Sequence, residues 1–461
     1  MTVERLEATD RSGEATPTTP IAAPPAVEHR LFYGWRLVAA AFVASFTTAG
    51  VQAYVSGAFF IPMSDDLGWT RAEFLYGQTL GQFVMGFFGF FIGAYVDRWG
   101  ARPLMLIGAT VLAVSLVWIS GITELWQWIA LRGTISMIGA ALLGNLVVNV
   151  TLSKWFVERR GRAIGFSSMG VSFAGVVLPT VMTFVIDEFG WRTGWRALAV
   201  FVLVLGYPAA LVMRRTPEDV GLHPDGKTDH EMATGGGAAA IADFANSFTR
   251  REALRTKTLY MLVLAFGLGS VGLSTMIIIT IPYLSDSGYS RSTAALMMSI
   301  MAIPAALSKP LWGYMGDRWS ERPITSASFL INVAALVLII SATAAHATGP
   351  LVAGYLLVGL GFGAQIPLQE SIWGTYFGRR HIGAVRSAAM PMALLFSAGG
   401  PLVVATYYDR FGDYDGALYG VAVGWALAAV AILFARRPTH RAIADPAPPE
   451  AQPETAGVTR I

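Results

Sequence analysis

The 461-residue sequence contains no cysteine, which excludes a disulfide framework and a thiolate metal site. Charge is also scarce, at 14% of residues against about 25% in an ordinary soluble domain. No G-x-x-x-x-G-K-[ST] phosphate loop occurs, so nucleotide is not expected as an energy source. The net charge of +3 is small and spread over loops, so no nucleic-acid partner is expected either.

Long apolar runs fill the sequence instead. Hydrophobic residues make up 54% of the chain, and residues 103–123 contain no ionisable side chain. About 20 such residues, at a rise of about 1.5 Å each, cross the hydrocarbon core of a bilayer. The pattern predicts an all-α membrane protein with twelve transmembrane helices. They lie near residues 34–61, 72–96, 103–122, 125–150, 163–186, 194–213, 257–284, 292–315, 323–345, 350–375, 387–408 and 416–435.

The basic residues predict the orientation. If both termini are cytoplasmic, 26 of the 33 Lys and Arg residues fall in cytoplasmic segments, five in outer segments and two, Arg132 and Lys309, inside the membrane. Because Lys and Arg resist translocation, this bias predicts a multi-pass protein of the cell membrane with both termini in the cytoplasm.

Five regions follow from these assignments. Two six-helix halves are predicted at 32–213 and 257–437, joined by a cytoplasmic central loop at 214–256. The polar ends, 1–31 and 438–461, are predicted to be disordered cytoplasmic tails, because they have too little apolar surface to bury. In the central loop, Thr249 and Glu252 fit a capping box and predict a short helix.

The two halves repeat each other. "GAYVDRWGARP" (93–103) and "GYMGDRWSERP" (313–323) share Gly, Asp, Arg, Trp, Arg and Pro at an offset of 220 residues. At the same offset, Gly68 matches Gly288. Parallel six-helix repeats are one transporter plan, in which the substrate site lies near the membrane midplane between the halves.

The repeated segment resembles the G-x-x-x-D-R-x-G-x-R motif of the major facilitator superfamily, and the resemblance covers residues 32–437. It implies the major facilitator fold, two pseudo-symmetric six-helix bundles. It also implies a cytoplasmic gate, in which the aspartates and arginines clamp the halves together in one conformer. The motif residues are Asp97, Arg98, Arg102, Asp317, Arg318 and Arg322, and Ser320 replaces the middle glycine of the second copy. A purely topological role explains the arginines but not an aspartate that is copied twice.

Within that superfamily the chain is similar to the monocarboxylate porters and oxalate/formate exchangers. The similarity rests on the segments "YGWRLVAAAF" (33–42), "KWFVERRGRAIG" (154–165), "YFGRRHIGA" (376–384) and "GPLVVATYYDRFGDYDGALYG" (400–420). In helix 8, Lys309 followed by Pro310 fits the porters' motif with lysine in place of arginine. By this resemblance Lys309 binds the substrate carboxylate. Predicted helix 11 lacks the basic residue of some dicarboxylate exchangers, so doubly charged substrates are less expected.

Glu370 lies in helix 10 at nearly the depth of Lys309, and the two are expected to pair. Burial favours the neutral form of a carboxylate and a nearby ammonium opposes it, so Glu370 is the predicted proton carrier. The alternatives are a static salt bridge and a glutamate that is capped by a loop arginine such as Arg379.

Other polar residues at membrane depth are weaker candidates. Arg132 in helix 4 fits either anion attraction or proton relay, or else snorkelling or helix capping. The neutral candidates for substrate contact, or for bonds between helices, are Asn145 and Asn149 on helix 4, Gln365 and Gln369 at the same offset on helix 10, and Gln52 and Tyr54 on helix 1.

The leading hypothesis is a secondary active transporter of small, monocarboxylate-like anions, coupled to protons and working by alternating access. Its expected partners are the anion, a proton and the lipid bilayer. The alternatives are proton-driven efflux of drugs or metabolites and a membrane solute sensor derived from a transporter. No nucleophile with a base and no metal-ligand cluster emerges, so no enzyme activity, metal or cofactor is expected.

Overall fold

The computed structural model describes residues 32–438. The predicted tails lie outside the described residues, except for Pro438. The described chain is helical and contains no strand. Ten of its helices are long and apolar enough to cross a membrane, counting the joined fifth and sixth helices once. Separating those two and adding the divided eleventh helix makes the predicted twelve, which confirms the all-α membrane fold.

The twelve helices have the following bounds: α1 Tyr33–Leu67, α2 Arg71–Trp99, α3 Ala101–Ile119, α4 Leu125–Trp155, α5 160–189, α6 191–212, α7 Lys257–Asp286, α8 Arg291–Leu307 with Lys309–Arg318, α9 Glu321–Ala344, α10 Thr348–Phe377, α11 Ile382–Ala388 with Met390–Phe411, and α12 Asp415–Phe434. Gly190, with φ 79° and ψ 160°, separates α5 from α6. In the central loop, a helix at Arg250–Ala253 carries the predicted capping box of Thr249 and Glu252.

Local structure follows the repeat. Gly68 and Gly288 both have a positive φ, 68° and 88°, and each ends a helix. The side chains of Thr70 and Ser290 then cap the starts of α2 and α8 by accepting from the third backbone N–H of each helix. Equivalent glycines and caps at one offset place the two helical hairpins in the same local geometry.

Several helices are interrupted at membrane depth. α1 contains a π-helical turn at Gly50–Tyr54 and α4 contains one at Leu131–Ser136. α8 breaks at Ser308, and Pro310 directly after the break has no N–H to donate. Such interruptions release backbone carbonyls that need other partners in an apolar environment.

The seam is the interface between α1–α6 and α7–α12, and it is made mainly by α2 against α11 and α5 against α8. Two glycine pairs bring these backbones together. A Cβ on Gly93 would lie 1.9 Å from the carbonyl oxygen of Gly383, and a Cβ on Gly161 would lie 2.4 Å from that of Gly313. Both pairs lie near the repeated motif, at the side of the bundle that carries residues 97–102 and 317–322, the motif side.

Replacing Gly161 by alanine is expected to open the seam on the motif side. The added methyl group cannot fit against the Gly313 carbonyl, and overpacking of about 1–3 kcal/mol shifts the population ratio roughly tenfold or more. Since the chain lacks cysteine, Ser387→Cys at this fully buried seam position gives a single reporter for maleimide labelling. Labelling should accelerate in Gly161→Ala but not in Gly57→Ala, where nothing lies within 4 Å of the new Cβ. Equal rates in both would contradict the close packing.

Candidate functional site

Asp97, at the end of α2, caps the start of α11 in the other half. Its Oδ1 accepts from the N–H of Gly383 at 3.2 Å and its Oδ2 accepts from that of Ala384 at 2.7 Å. The ammonium of Lys154 lies 2.9 Å from Oδ1, and both side chains are less than 10% exposed. A carboxylate at a helix N-terminus meets unpaired N–H groups and the positive end of the helix dipole, which both stabilise it.

Asp317, the repeat of Asp97, caps the start of α5 in the reverse direction. It accepts from the backbone N–H of Gly161 at 2.6 Å and of Arg162 at 3.0 Å. The Arg162 side chain adds an ion pair, with Nε 3.0 Å from Oδ2. Each half therefore supplies a carboxylate to a helix of the other, and the seam is closed on the motif side.

The two caps are not identical. The cation of Asp97 belongs to its own half, so this cap crosses the seam only through backbone N–H donors. The cation of Asp317 comes from the opposite half. The capped pairs, 161–162 and 383–384, are 222 residues apart, because the second copy has two additional residues after its Arg-Arg pair.

The four motif arginines lie outside the caps in this conformation. The guanidinium of Arg98 lies over the Trp99 ring at 5.1 Å, and Arg322 donates to the carbonyl of Leu433 within its own half. Arg102 and Arg318 are exposed. Across residues 32–438, none of the four forms an ion pair across the seam, and their part in the gate stays a prediction.

The central loop also contacts the seam. Arg250 donates from Nη2 to the carbonyl of Phe90 on α2 at 2.8 Å, and from Nε to the carbonyl of Ala384 on α11 at 3.0 Å. Burial lowers the pKa of Arg250, and nearby Asp97 opposes that shift. The loop therefore bridges both halves beside the cap of Asp97.

Lys309 lies at the seam between α8 and α5. Its ammonium donates to the carbonyl of Ser168 at 2.9 Å and to the hydroxyl of Ser172 at 2.7 Å, both on α5. The residue is 4% exposed. In the part of the chain that the structure describes, no carboxylate neutralises it.

The predicted pairing of Glu370 with Lys309 is wrong. Glu370 binds Arg386 on α11, with Nε 3.1 Å from both carboxylate oxygens and Nη2 2.9 Å from Oε1. The arginine capping this glutamate is thus Arg386 rather than Arg379, which pairs with Glu218. The error follows from the predicted start of helix 11 at residue 387: the helix begins at Ile382 and so does contain a basic residue.

Arg132 is 1% exposed and donates to carbonyls in the π-helical turn of α1. Its Nη2 lies within 3.1 Å of the carbonyls of Val51 and Gln52 and of the side-chain oxygens of Ser56 and Gln78. No carboxylate binds it within the described chain. This geometry is that of helix capping, one of the two roles that the sequence leaves open.

The neutral candidates separate by exposure. Asn145 is exposed and Gln369 is half-buried, whereas Asn149 and Gln365 are buried. The Nε2 of Gln365 has no hydrogen-bond partner among the described residues. On α1, Gln52 donates to the sulfur of Met85 and Tyr54 packs against Gly175 with 38% of its surface exposed.

Sequence reasoning missed the cations Lys154, Arg162 and Arg386, because each counts there only as loop charge. A signal was present. "RRGR" (159–162) and "RRHIGA" (379–384) align once two residues are inserted, and that alignment matches the capped Gly161 with Gly383.

A family model described as Major Facilitator Superfamily matches residues 39–277 and 264–459. This chain belongs to the Major Facilitator Superfamily. The superfamily member is therefore a multi-pass membrane transporter and not an enzyme. Its fold resembles that of the proton:xylose symporter XylE, with a TM-score of 0.71 at 14% identity, covering 88% of this chain and 96% of that one.

Its curated relatives are transporters. Human monocarboxylate transporter 11 is 25% identical over 417 residues, 87% of this chain and 82% of that protein. The oxalate:formate antiporter of Oxalobacter formigenes is 25% identical over 353 residues, 75% of this chain and 79% of that protein. The fujikurins efflux protein of Gibberella fujikuroi is 28% identical over 181 residues, 39% of each protein.

Removing the cation of each cap should destabilise this transporter unequally. Lys154→Met leaves the buried Asp97 without its cation, a loss of about 3–5 kcal/mol for a buried pair. Arg162→Met likewise leaves a buried carboxylate, Asp317, without its cation, but Arg162 is 33% exposed, so water can replace it and the expected loss is smaller, about 1–3 kcal/mol. Thermal unfolding of the purified protein in detergent should give the lower midpoint for Lys154→Met. Lys257→Met, at an exposed site, is the control, and equal midpoints for the two cap variants would contradict the difference.

Proposed function

We propose that this transporter moves small organic anions of the monocarboxylate class together with a proton, by alternating access between its halves. The observation that carries the proposal is the ammonium of Lys309. It is buried at the seam, and its acceptors among the described residues are neutral, the Ser168 carbonyl and the Ser172 hydroxyl.

An unneutralised ammonium at this depth suits a carboxylate ligand. Burying a lone ionised side chain in a membrane costs at least about 2.5–3.5 kcal/mol, and an arriving anion offsets that cost. Lysine has three N–H donors, of which Lys309 uses two, so one remains for a carboxylate oxygen. A single point charge favours a singly charged substrate.

Binding at Lys309 is linked to the seam. The ammonium belongs to α8, but its acceptors belong to α5 in the other half. An anion that attracts this ammonium weakens a contact between the halves, so the substrate has different affinities for the closed and open conformers. Such a difference is what couples binding to a conformational change. Asn145 and Gln369 are proposed to supply neutral hydrogen bonds to the substrate.

The proton and the orientation complete the proposal. Glu370 on α10 is proposed as the proton carrier, because its largely buried carboxylate forms an ion pair with Arg386 on α11. Because 26 of the 33 basic residues fall in segments that the sequence assigns to the cytoplasm, the motif side is proposed to face the cytoplasm, in the plasma membrane. This conformer is then closed to the cytoplasm.

The relatives support the class of substrate. Two are described as transporters of monocarboxylates and of oxalate and formate. Relatives described as efflux proteins for fujikurins and agnestins favour a second candidate, proton-driven efflux of drugs or metabolites. The two functions differ in their response to an inward proton gradient, which drives uptake in one and expulsion in the other.

Uptake into proteoliposomes tests the proposal. Radiolabelled lactate, pyruvate, formate and oxalate are offered with and without an imposed pH gradient, and a monocarboxylate is expected to accumulate only with it. Lys309→Ala should lower the rate at limiting substrate about 10- to 100-fold, the effect of losing one charge-assisted hydrogen bond of about 1.5–3 kcal/mol.

Two controls make the result specific. Lys309→Arg keeps the charge and should retain uptake, whereas Lys257→Met removes a distant exposed cation and should leave it unchanged. Full uptake by Lys309→Ala would overturn the site. Uptake of none of the four anions, with gradient-driven expulsion of a larger compound, would favour efflux.

A further inference from the structure

We propose that Glu370 and Arg386 are positioning residues that make closure of the motif side depend on protonation. Ionised Glu370 holds the first segment of α11 (Ile382–Ala388) where Asp97 caps it, and protonated Glu370 releases it. The inference rests on the proposed role of Glu370 as the proton carrier and adds the route by which one proton reaches the seam.

The ion pair of Glu370 and Arg386, called the tether below, joins α10 to the first segment of α11. Nε and Nη2 of Arg386 both donate to the carboxylate of Glu370. The side chain of Arg386 is 8% exposed and that of Glu370 is 13% exposed. Two-nitrogen guanidinium–carboxylate contacts are among the strongest and most directional hydrogen bonds in proteins. The pair therefore fixes the position of the first segment of α11 relative to α10, inside one half.

The tethered segment is the one that meets the opposite half. Asp97 accepts from Gly383 and Ala384, which precede Arg386 by three and two residues. Ala389 divides this segment from the rest of α11, and Pro391 follows the break. A seven-residue helix separated in this way is too short to hold its place by itself, so its side-chain contacts determine where its N-terminus lies.

Protonation acts on those contacts in one direction. A proton on a carboxylate oxygen of Glu370 removes the negative charge and the ionic hydrogen bonds from Arg386. The guanidinium is then buried without a counterion, and its Nη1 already lacks a partner among the described residues. Movement of Arg386 toward water relieves that burial and takes the first segment of α11 away from Asp97. Lower pH therefore favours the conformer that is open on the motif side, and release of the proton restores the cap.

Other ionisable groups lie on the elements around the pair. They include Lys257 and Asp286 on α7, Lys309, Asp317 and Arg318 on α8, Glu321 and Arg322 on α9, Arg160 and Arg162 on α5, Asp97 and Arg98 on α2, Lys154 on α4, Arg250, Arg251 and Glu252 in the central-loop helix, and Arg379, Arg380 and His381 between α10 and α11. His381 is the group whose ordinary pKa is nearest neutrality. Burial lowers the pKa of His381, with Asp97 opposing the shift, so this residue needs its own control.

The distance between two spin labels, measured without substrate, tests the inference. The cysteine-free chain accepts Trp99→Cys and Trp319→Cys, which replace exposed residues at the ends of α2 and α8, one in each half. Electron–electron distances are recorded in nanodiscs across a range of pH. In this background the long-distance, open population should rise on acidification, with an open-to-closed ratio that changes by up to tenfold per pH unit, the slope of a single proton.

The variants separate positioning from simple destabilisation. Glu370→Gln should stay at the low-pH distribution at every pH, whereas Glu370→Asp should recover a pH-dependent transition. Arg386→Lys keeps the positive charge but loses the two-nitrogen contact with ionised Glu370. The pH midpoint of the open–closed transition should therefore move to higher pH. Glu321→Gln is the matched control: this half-buried carboxylate accepts from Ser371 and Thr375 on α10 and has no hydrogen bond to the described side chains of α11, so the pH dependence of the label distances should be unchanged. His381→Gln should also titrate normally.

The outcomes distinguish this inference from the proposed function. A Glu370→Gln protein that titrates like the background, or a His381→Gln protein that does not titrate, would overturn the inference. If titration depends on Glu370 but none of the four anions is taken up, the substrate class fails and the tether stands. If uptake by Glu370→Gln still follows the pH gradient, the tether fails and the monocarboxylate function stands.

Discussion

Two carboxylates, each supplied by one half to a helix N-terminus of the other half, hold the seam closed on the motif side. Asp97 caps α11 and Asp317 caps α5, each from the opposite half. A carboxylate at a helix N-terminus contributes typically about 0.3–2 kcal/mol. Two caps therefore amount to a few kcal/mol, which is comparable to the gap between two interconverting conformers and is compatible with the proposed alternating access. The glycine pairs beside the caps are needed because side chains would keep the backbones too far apart.

Three of the buried cations, Arg132, Arg386 and Lys309, are stabilised in three different ways, and the differences suggest different roles. Arg132 is bound by carbonyls from an interrupted α1 and stays within one half, which suits a structural part. Arg386 has a carboxylate partner, Glu370, which neutralises its charge. Among the described residues, Lys309 donates to a carbonyl and a hydroxyl of the other half, and this lack of a counterion is what supports its proposed role as the anion site.

The sequence predicts the architecture better than the site. Apolar runs of about 20 residues must become helices in a bilayer, since backbone groups cannot be left unpaired there, and the repeat at 93 and 313 relates the halves. Contacts to backbone N–H groups, such as that of Asp97 with Ala384, leave no residue pattern in the sequence. They can therefore be identified only once the fold is known. The partner of Glu370 was mispredicted because a helix start placed five residues late left Arg386 in a loop. The two-residue insertion before Gly383 likewise hides the equivalence of the caps at a fixed offset.

Hydrogen–deuterium exchange at the starts of α5 and α11 measures whether each helix is capped by a carboxylate of the opposite half. The amides of Gly383 and Ala384 are bound by a carboxylate of the first half, and those of Gly161 and Arg162 by one of the second. Because the caps cross the seam, each substitution should act on the other half: Asp97→Ala should accelerate amide exchange at the start of α11, and Asp317→Ala should accelerate it at the start of α5. Unchanged exchange at both helix starts, or acceleration confined to the half that carries the substitution, would contradict it.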